Sequence, residues 1–211
     1  MALDTLKTYP ADAIYCYTDG SDMKDLVRAG YGAYICYPDL DPEKLSGACG
    51  LAACSFDAEL TAITNTLNHV LQKLRKKITI VMVTDSQSCL QAMAGLGGKS
   101  KLMEEALGSA NNIHLLIGAV IVMQWVPSHC GVRGNAVADA LAREGALAMP
   151  AFESPSTFQQ ATTVIREWVH EKWLKSWDNS STARGVWQHM RRPNQEDPWW
   201  RLKSSDQNKQ Q

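Results

Sequence analysis

The sequence predicts an α/β protein in which helices cover a mixed sheet, followed by a separate Trp-bearing tail. Three observations predict this. Three strand-like segments come first, the first alternating and rich in Tyr and Ile, joined by short Gly-, Pro- and Asp-containing turns, which is the pattern of an antiparallel meander. Helical and strand patterns then alternate along the chain, as strands joined by helical crossovers require. Finally, six of the seven Trp residues lie after Pro150, where the composition changes.

Each element has its own signal. Residues 13–18, 31–37 and 45–54 read as the three meander strands. Residues 57–74 place Leu60, Ile63, Leu67, Val70, Leu71 and Leu74 at helical spacing, with Asp57 near the start and a basic run, 73–77, at the end. Residues 78–84 are a continuous run rich in β-branched residues, the signature of a strand buried on both faces. A helical stretch over 86–96, a further helix over 100–110, a strand over 119–126 and a last helix over 135–148 follow. The order βββαβα(α)βα is that of a mixed sheet with helical cover. A linker is expected at 149–157, where Pro150 and Pro155 stand among small and polar residues. The boundary therefore divides the chain into residues 1–149 and a tail of 150–211. In the tail, Val164, Trp168, Trp173 and Trp177 recur at near-helical spacing among Arg166, Glu167, Glu171, Lys172 and Lys175. That pattern predicts a helix docked on the domain or on another part of a larger polypeptide; aromatic residues among basic ones can also stack on single-stranded nucleic acid.

With 211 residues, 45% hydrophobic and 20% charged, the chain is long enough to bury a core and ordinary enough to exclude disorder as its general state. The apolar run 115–123 is interrupted by Gly118 and is shorter than the ~20 residues that cross a bilayer. No basic stretch leads into an apolar one at the N-terminus, so the expectation is an intracellular protein, cytoplasmic or nuclear and not secreted. The six cysteines form no CxxC pair and mostly sit in apolar runs, as reduced core thiols do. A net charge of -1 makes no global electrostatic case for a nucleic-acid partner.

Four acids fall at element ends. Asp19 closes the first strand in Thr18-Asp19-Gly20-Ser21, and Asp85 closes the buried strand in Thr84-Asp85-Ser86-Gln87. Glu59 is expected in the first turn of the first long helix and Asp139 in the first turns of the last. Singly, each has a structural explanation, as a turn former, an N-cap or a favourable charge near a helix N-terminus. Asp19 and Asp85 stand at strand ends, which in such sheets are where ligands bind.

The motifs carrying these acids occur in order: Ile14-Tyr15-Cys16-Tyr17-Thr18-Asp19-Gly20-Ser21, Ala58-Glu59-Leu60-Thr61-Ala62-Ile63, Val83-Thr84-Asp85-Ser86-Gln87, and Trp125-Val126-Pro127-Ser128-His129 through Gly134-Asn135 to Ala138-Asp139. Over residues 13–147 this order resembles the type I ribonuclease H family. The tail is more loosely similar to the segment that follows this domain in some non-LTR retrotransposon polyproteins. The resemblance implies a ribonuclease H-like five-stranded mixed sheet, three strands antiparallel and two further ones parallel to the first. It implies a metal-dependent endonuclease acting on the RNA strand of an RNA/DNA hybrid through two Mg²⁺ ions, with Mn²⁺ as substitute. By the same resemblance Asp19 bridges both ions, Asp139 joins it on the nucleophile side, and Glu59 and Asp85 hold the leaving-group side. His129 assists proton transfer and product release, and Gly20, Ser21, Gln87 and Asn135 stand near the substrate.

The chemistry suits those residue types. Phosphodiester hydrolysis needs an activated water, neutralised charge at phosphorus and a stabilised leaving oxygen, which two Mg²⁺ ions supply. Mg²⁺ takes hard oxygen ligands, and crowded carboxylates raise one another's pKa without a cation. Neutral imidazole near pH 7 can accept a proton. A nucleophilic Cys130–His129 pair is disfavoured, since neighbouring residues project apart and no third group orients them.

The sequence departs from the family pattern at Gly134-Asn135-Ala136, where an acid often follows Asn, and in the loop 22–29. Ser55 and Phe56 stand where some members place asparagines. No extended basic, Trp-bearing protrusion is visible within the domain. Two other readings share the fold: a DNA-acting nuclease of the integrase and resolvase kind, and a degenerate nucleic-acid-binding or structural domain. The expected partners are an RNA/DNA hybrid and, through the polyprotein resemblance, reverse transcriptase regions of a larger chain. No membrane partner is expected, and the isolated domain is expected to be monomeric.

Overall fold

In the computed structural model, residues 2–23, 28–51, 53–74, 76–96, 100–148 and 158–184 are described. They fall into two units, 1–160 and 161–211. The first contains α1 (Ala2–Leu6), β1 (Ile14–Met23), β2 (Arg28–Cys36), β3 (Glu43–Leu51), α2 (Ser55–Lys73), β4 (Thr79–Thr84), α3 (Gln87–Gln91), α4 (Lys101–Ile117), β5 (Val120–Trp125) and α5 (Arg133–Leu147). The five strands form one sheet in the order β3-β2-β1-β4-β5. β1, β2 and β3 pair antiparallel, while β4 lies parallel to β1 and β5 parallel to β4. This is the five-stranded mixed sheet flanked by helices that the element order predicts.

The period-two pleat sorts side chains between two cores. Ile14, Cys16, Ile80 and Met82 point to one face, where Leu60, Ile63, Leu67 and Val70 of α2 and Met103, Ala106 and Ile113 of α4 cover them. Val81 and Val83 belong to the other face with Ala13, Leu6 of α1, Val126 and Val132, flanked by Tyr9, Tyr15 and Tyr17. β4 is therefore buried on both faces, as its unbroken apolar run predicts, and each such fully buried aliphatic side chain is worth about 1.5–3 kcal/mol. α2 begins with Asp57 accepting from the Cys54 backbone N–H. Its Glu59 falls in the second turn rather than the first.

α5 lies directly against β2 through glycine. A Cβ on Gly32 would stand 2.3 Å from both Ala138 O and Ala142 N, and one on Gly30 1.9 Å from Ala146 N. The small-residue stripe Gly134, Ala138, Ala142, Gly145, Ala146 is the matching helix surface. This close approach brings Asn135 and Asp139 to the sheet.

Several elements differ from the sequence reading. β1 does not stop at Thr18 but runs to Met23, because it pairs with β2 as far as Met23↔Arg28. Its parallel pairing with β4 ends earlier, at Tyr17↔Val83. Asp19 is thus inside a strand, opposite Gly32, at the point where one neighbour leaves it. The expected helix 100–110 extends to Ile117 and ends on Gly118, whose φ of 68° and N–H bond to His114 O close it, so the run 115–123 is part helix and part strand. The stretch 86–96 becomes α3 followed by a π-helical turn, Ala92–Leu96, with Gly95 at φ 83°. Ser86, not Asp85, caps α3, accepting from Cys89 N. The short α1 carries no sequence signal strong enough to be expected. It is held by Tyr15 Oη donating to Leu6 O at 2.9 Å, and the chain just beyond it by Tyr9 Oη donating to Gln124 Oε1 at 2.6 Å.

All six cysteines are free; Cys16 and Cys89 are buried and Cys130 is exposed. Lys73, in the basic run, pairs with Glu43, which also meets His69 at 2.6 Å. The expected linker 149–157, the loop residues 24–27, and Trp187, Trp199 and Trp200 lie outside the described residues. α6 (Phe158–Arg184), which lies mostly in the second unit, realises the helical spacing of the tail. It exposes Val164, Ile165, Trp168 and Val169, and Lys172 Nζ sits 5.7 Å from the Trp168 ring. No helix among the described residues is long and apolar enough to cross a membrane.

Candidate active site

The parallel pairing of β1 with β4 ends at Tyr17↔Val83, and two acids stand just beyond it. Thr18 Oγ1 donates to Val83 O at 3.4 Å, which ties the strands together one residue before Asp19. Asp85 follows Thr84 directly. The third acid arrives from α2. A Cβ on Gly20 would lie 2.4 Å from Glu59 N, so glycine is what lets the helix start approach the strand closely. As a result one carboxylate oxygen each of Asp19, Glu59 and Asp85 lies within 4.8 Å of the others.

These three carboxylates line a cavity of about 450 Å³ with Gly20, the turn from Pro127 to Val132, Asn135, Ala136, Asp139 and Arg143. Asp19 and Glu59 are only 8% and 6% exposed. Burial, then the charges of Asp85 and Asp139, push Asp19 up from 3.8 to about 7. Burial, then Asp19 and Asp85, push Glu59 up from 4.5 to about 9. A backbone bond from Gly20 N to Asp19 Oδ1 at 2.8 Å opposes the first shift only partly.

Asp85 is fixed differently. Ser128 Oγ donates to its Oδ2 at 2.6 Å, Asn135 Nδ2 to the same atom at 3.2 Å, and Trp125 Nε1 to its main-chain O at 3.0 Å. Asp139 stands on the cavity wall, where Arg143 Nη2 donates to its Oδ2 at 2.8 Å, and it is not one of the three acids gathered within 4.8 Å. His129 lines the cavity on an exposed turn and holds a left-handed φ of 54°, next to Gly131 at φ 83°. Of the residues expected near substrate, Gly20 and Asn135 line the cavity, whereas Ser21 and the exposed Gln87 do not. Ser128 and Trp125 stand in the motif that carries His129, but nothing in the sequence shows that they bond to Asp85. Arg143 has a readable signal, since it follows Asp139 by four residues on one helix face.

The donor set fits a divalent cation. Three clustered carboxylates offer hard oxygens, the charges pressing on Asp19 and Glu59 are other carboxylates, and Glu59 Oε2 is buried with no hydrogen-bond partner. A buried, unpaired acid oxygen is costly unless something binds it.

The family and the fold are those of known proteins. The chain matches the RNase H family over residues 11–147. Its fold is similar to that of RNase H1 from the halophilic archaeon Halobacterium salinarum NRC-1, with 20% identity, a TM-score of 0.51, and coverage of 63% of this chain and 96% of that one. It is also similar to the N-terminal RNase H domain of rv2228c from Mycobacterium tuberculosis, with 22% identity, a TM-score of 0.51, and coverage of 64% and 98%. No curated protein sequence matches. The family match spans all the acids at this cavity, and the chain belongs to the RNase H family: it is a ribonuclease H.

Proposed function

We propose that residues 1–149 form a metal-dependent endonuclease that hydrolyses the RNA strand of RNA/DNA hybrids, with Asp19, Glu59, Asp85 and Asp139 as cation ligands. The observation that carries this is the convergence of Asp19, Glu59 and Asp85 in one cavity, where Asp19 and Glu59 are both pushed up. Acids held protonated by burial and by one another's charge are groups that gain by sharing a divalent cation. Mg²⁺ is the natural occupant for an all-oxygen set, with Mn²⁺ as substitute. Two such ions, when bound, supply a nucleophilic water and neutralise charge on the attacked phosphate and the departing 3′ oxygen.

The chain's own residues do the rest. Asp19, which feels the charges of both Asp85 and Asp139, would be the ligand shared between two cations, held with Glu59 and Asp85 on one side and Asp139 on the other. Arg143 pairs with Asp139 at the cavity wall. His129, on an exposed turn at the cavity mouth, accepts or passes a proton. Gly20 and Asn135, and beyond the cavity Ser21 and Gln87, offer backbone amides and short polar groups of the kind that read a ribose 2′-hydroxyl. The Trp-bearing tail supports a retroelement origin, with reverse transcriptase regions as neighbours.

Asp19→Asn and Asp85→Asn test the reading. Each should abolish Mg²⁺-dependent cleavage of a hybrid while leaving the far-UV circular dichroism spectrum unchanged. Variants that fold and cut at the wild-type rate would remove the acids from the mechanism.

A further inference from the structure

Donors from one stretch of chain converge on Asp85 and on only one of its carboxylate oxygens. Ser128 Oγ and Asn135 Nδ2 both reach Oδ2, at 2.6 and 3.2 Å, while Trp125 Nε1 holds the main-chain carbonyl of the same residue at 3.0 Å. A carboxylate is planar, and each oxygen has two lone-pair sites. Two donors on Oδ2 therefore use that atom fully and fix the plane of the group, which leaves Oδ1 as the oxygen free to bind a cation.

The stronger of the two bonds comes from the residue next to His129. That histidine sits at φ 54°, a conformation that non-glycine residues adopt only when their surroundings enforce it. Among the described residues, the Ser128 hydroxyl makes the side-chain hydrogen bond that joins this turn to the acid cluster, so the contact that helps orient Asp85 also anchors the His129 turn.

We propose that Ser128 is a positioning residue of this nuclease: through Asp85 Oδ2 it presents Asp85 Oδ1 to the cation and holds the His129 turn at the cavity. The proposal rests on the reading of Asp85 as a cation ligand. Partners that orient a ligand in this way typically change cation affinity or activity by about 10–100-fold when removed.

Mg²⁺ titration of the full-length chain by calorimetry, with Ser128→Ala, Ser128→Thr and Asp85→Asn beside the wild type, tests it. Because Asn135 remains, Ser128→Ala should weaken Mg²⁺ binding by about tenfold, at the lower end of that range. Ser128→Thr, which keeps the hydroxyl, should bind as the wild type does. In parallel cleavage assays Ser128→Ala should need correspondingly more Mg²⁺, with an unchanged KM for hybrid. If Ser128→Ala binds Mg²⁺ like the wild type while Asp85→Asn binds it poorly, the proposal is wrong although Asp85 remains a ligand. If Ser128→Ala raises the KM for hybrid at unchanged Mg²⁺ affinity, Ser128 is a substrate contact and the proposal is again wrong. If Asp85→Asn also binds Mg²⁺ like the wild type, the reading of Asp85 fails and the proposal falls with it.

Discussion

Replacing Glu59 by Gln should remove about half of the pH dependence that the acid cluster imposes on the metal-free fold. Gln keeps the shape of the side chain and cannot ionise. Burial and the neighbouring carboxylates raise Glu59 from 4.5 to about 9 in the fold. The native state therefore keeps a proton that the unfolded chain releases. No stability is lost on this account below pH 4.5, and stability falls progressively as pH rises from there towards 9. One extra bound proton corresponds to a slope of about 1.4 kcal/mol per pH unit. Asp19, raised from 3.8 to about 7, adds a second slope of the same sign that ends near pH 7. Between about pH 5 and 7 the wild type should therefore lose about 2.7 kcal/mol per pH unit from these two groups, and Glu59→Gln about 1.4. Urea unfolding in EDTA at several pH values measures the difference, in which the other titrating groups largely cancel. The variant should gain on the wild type steadily across this range, and excess Mg²⁺ should reverse its advantage. A stability difference that stays constant from about pH 5 to 8 would mean that Glu59 is already ionised in the metal-free fold, and the burial argument would be refuted.

Three further outcomes follow from the geometry. Gly32→Ala places a Cβ 2.3 Å from backbone atoms of Ala138 and Ala142; overpacking of this kind costs about 1–3 kcal/mol, and displacement of α5 should also depress cleavage. A variant that melts and cuts like the wild type would deny the close contact. His129→Gly relieves a left-handed φ worth about 1–2 kcal/mol, so it should leave stability equal or higher while slowing turnover and sparing Mg²⁺ binding; unchanged turnover from about pH 5.5 to 8 would remove the histidine from proton transfer. A fragment ending at Met149 should fold and cut hybrid, and a folded, metal-binding but inactive fragment would place part of the nuclease in the tail.

Much of the fold was readable because each signal is local. The β-branched run of β4 and the apolar stripe of α2 declare burial by composition and period. What was hidden depends on neighbours distant in sequence. Gly20, Ser21 and Asp22 are turn formers by type, yet β2 draws them into β1 by pairing. The strand start near 119 is readable, but the sequence predicts that the helix before it stops at 110, since nothing in 111–117 alone shows that the helix continues to Gly118. The four acids could be picked out by position and motif. Their unequal standing could not, because the gathering of Asp19, Glu59 and Asp85 depends on Gly20 admitting α2, while Asp139 pairs with Arg143 instead. Ser128 acquires its contact only when the turn before α5 folds over the end of β4.

The most direct test of the central claim is single-turnover cleavage of a hybrid labelled on both strands, with Mg²⁺ and with excess EDTA. The account expects the RNA strand alone to be cut, leaving 5′-phosphate and 3′-hydroxyl ends, with no cutting in EDTA and none by Asp19→Asn. Equal cleavage in EDTA, or cleavage of the DNA strand in place of the RNA, would contradict it.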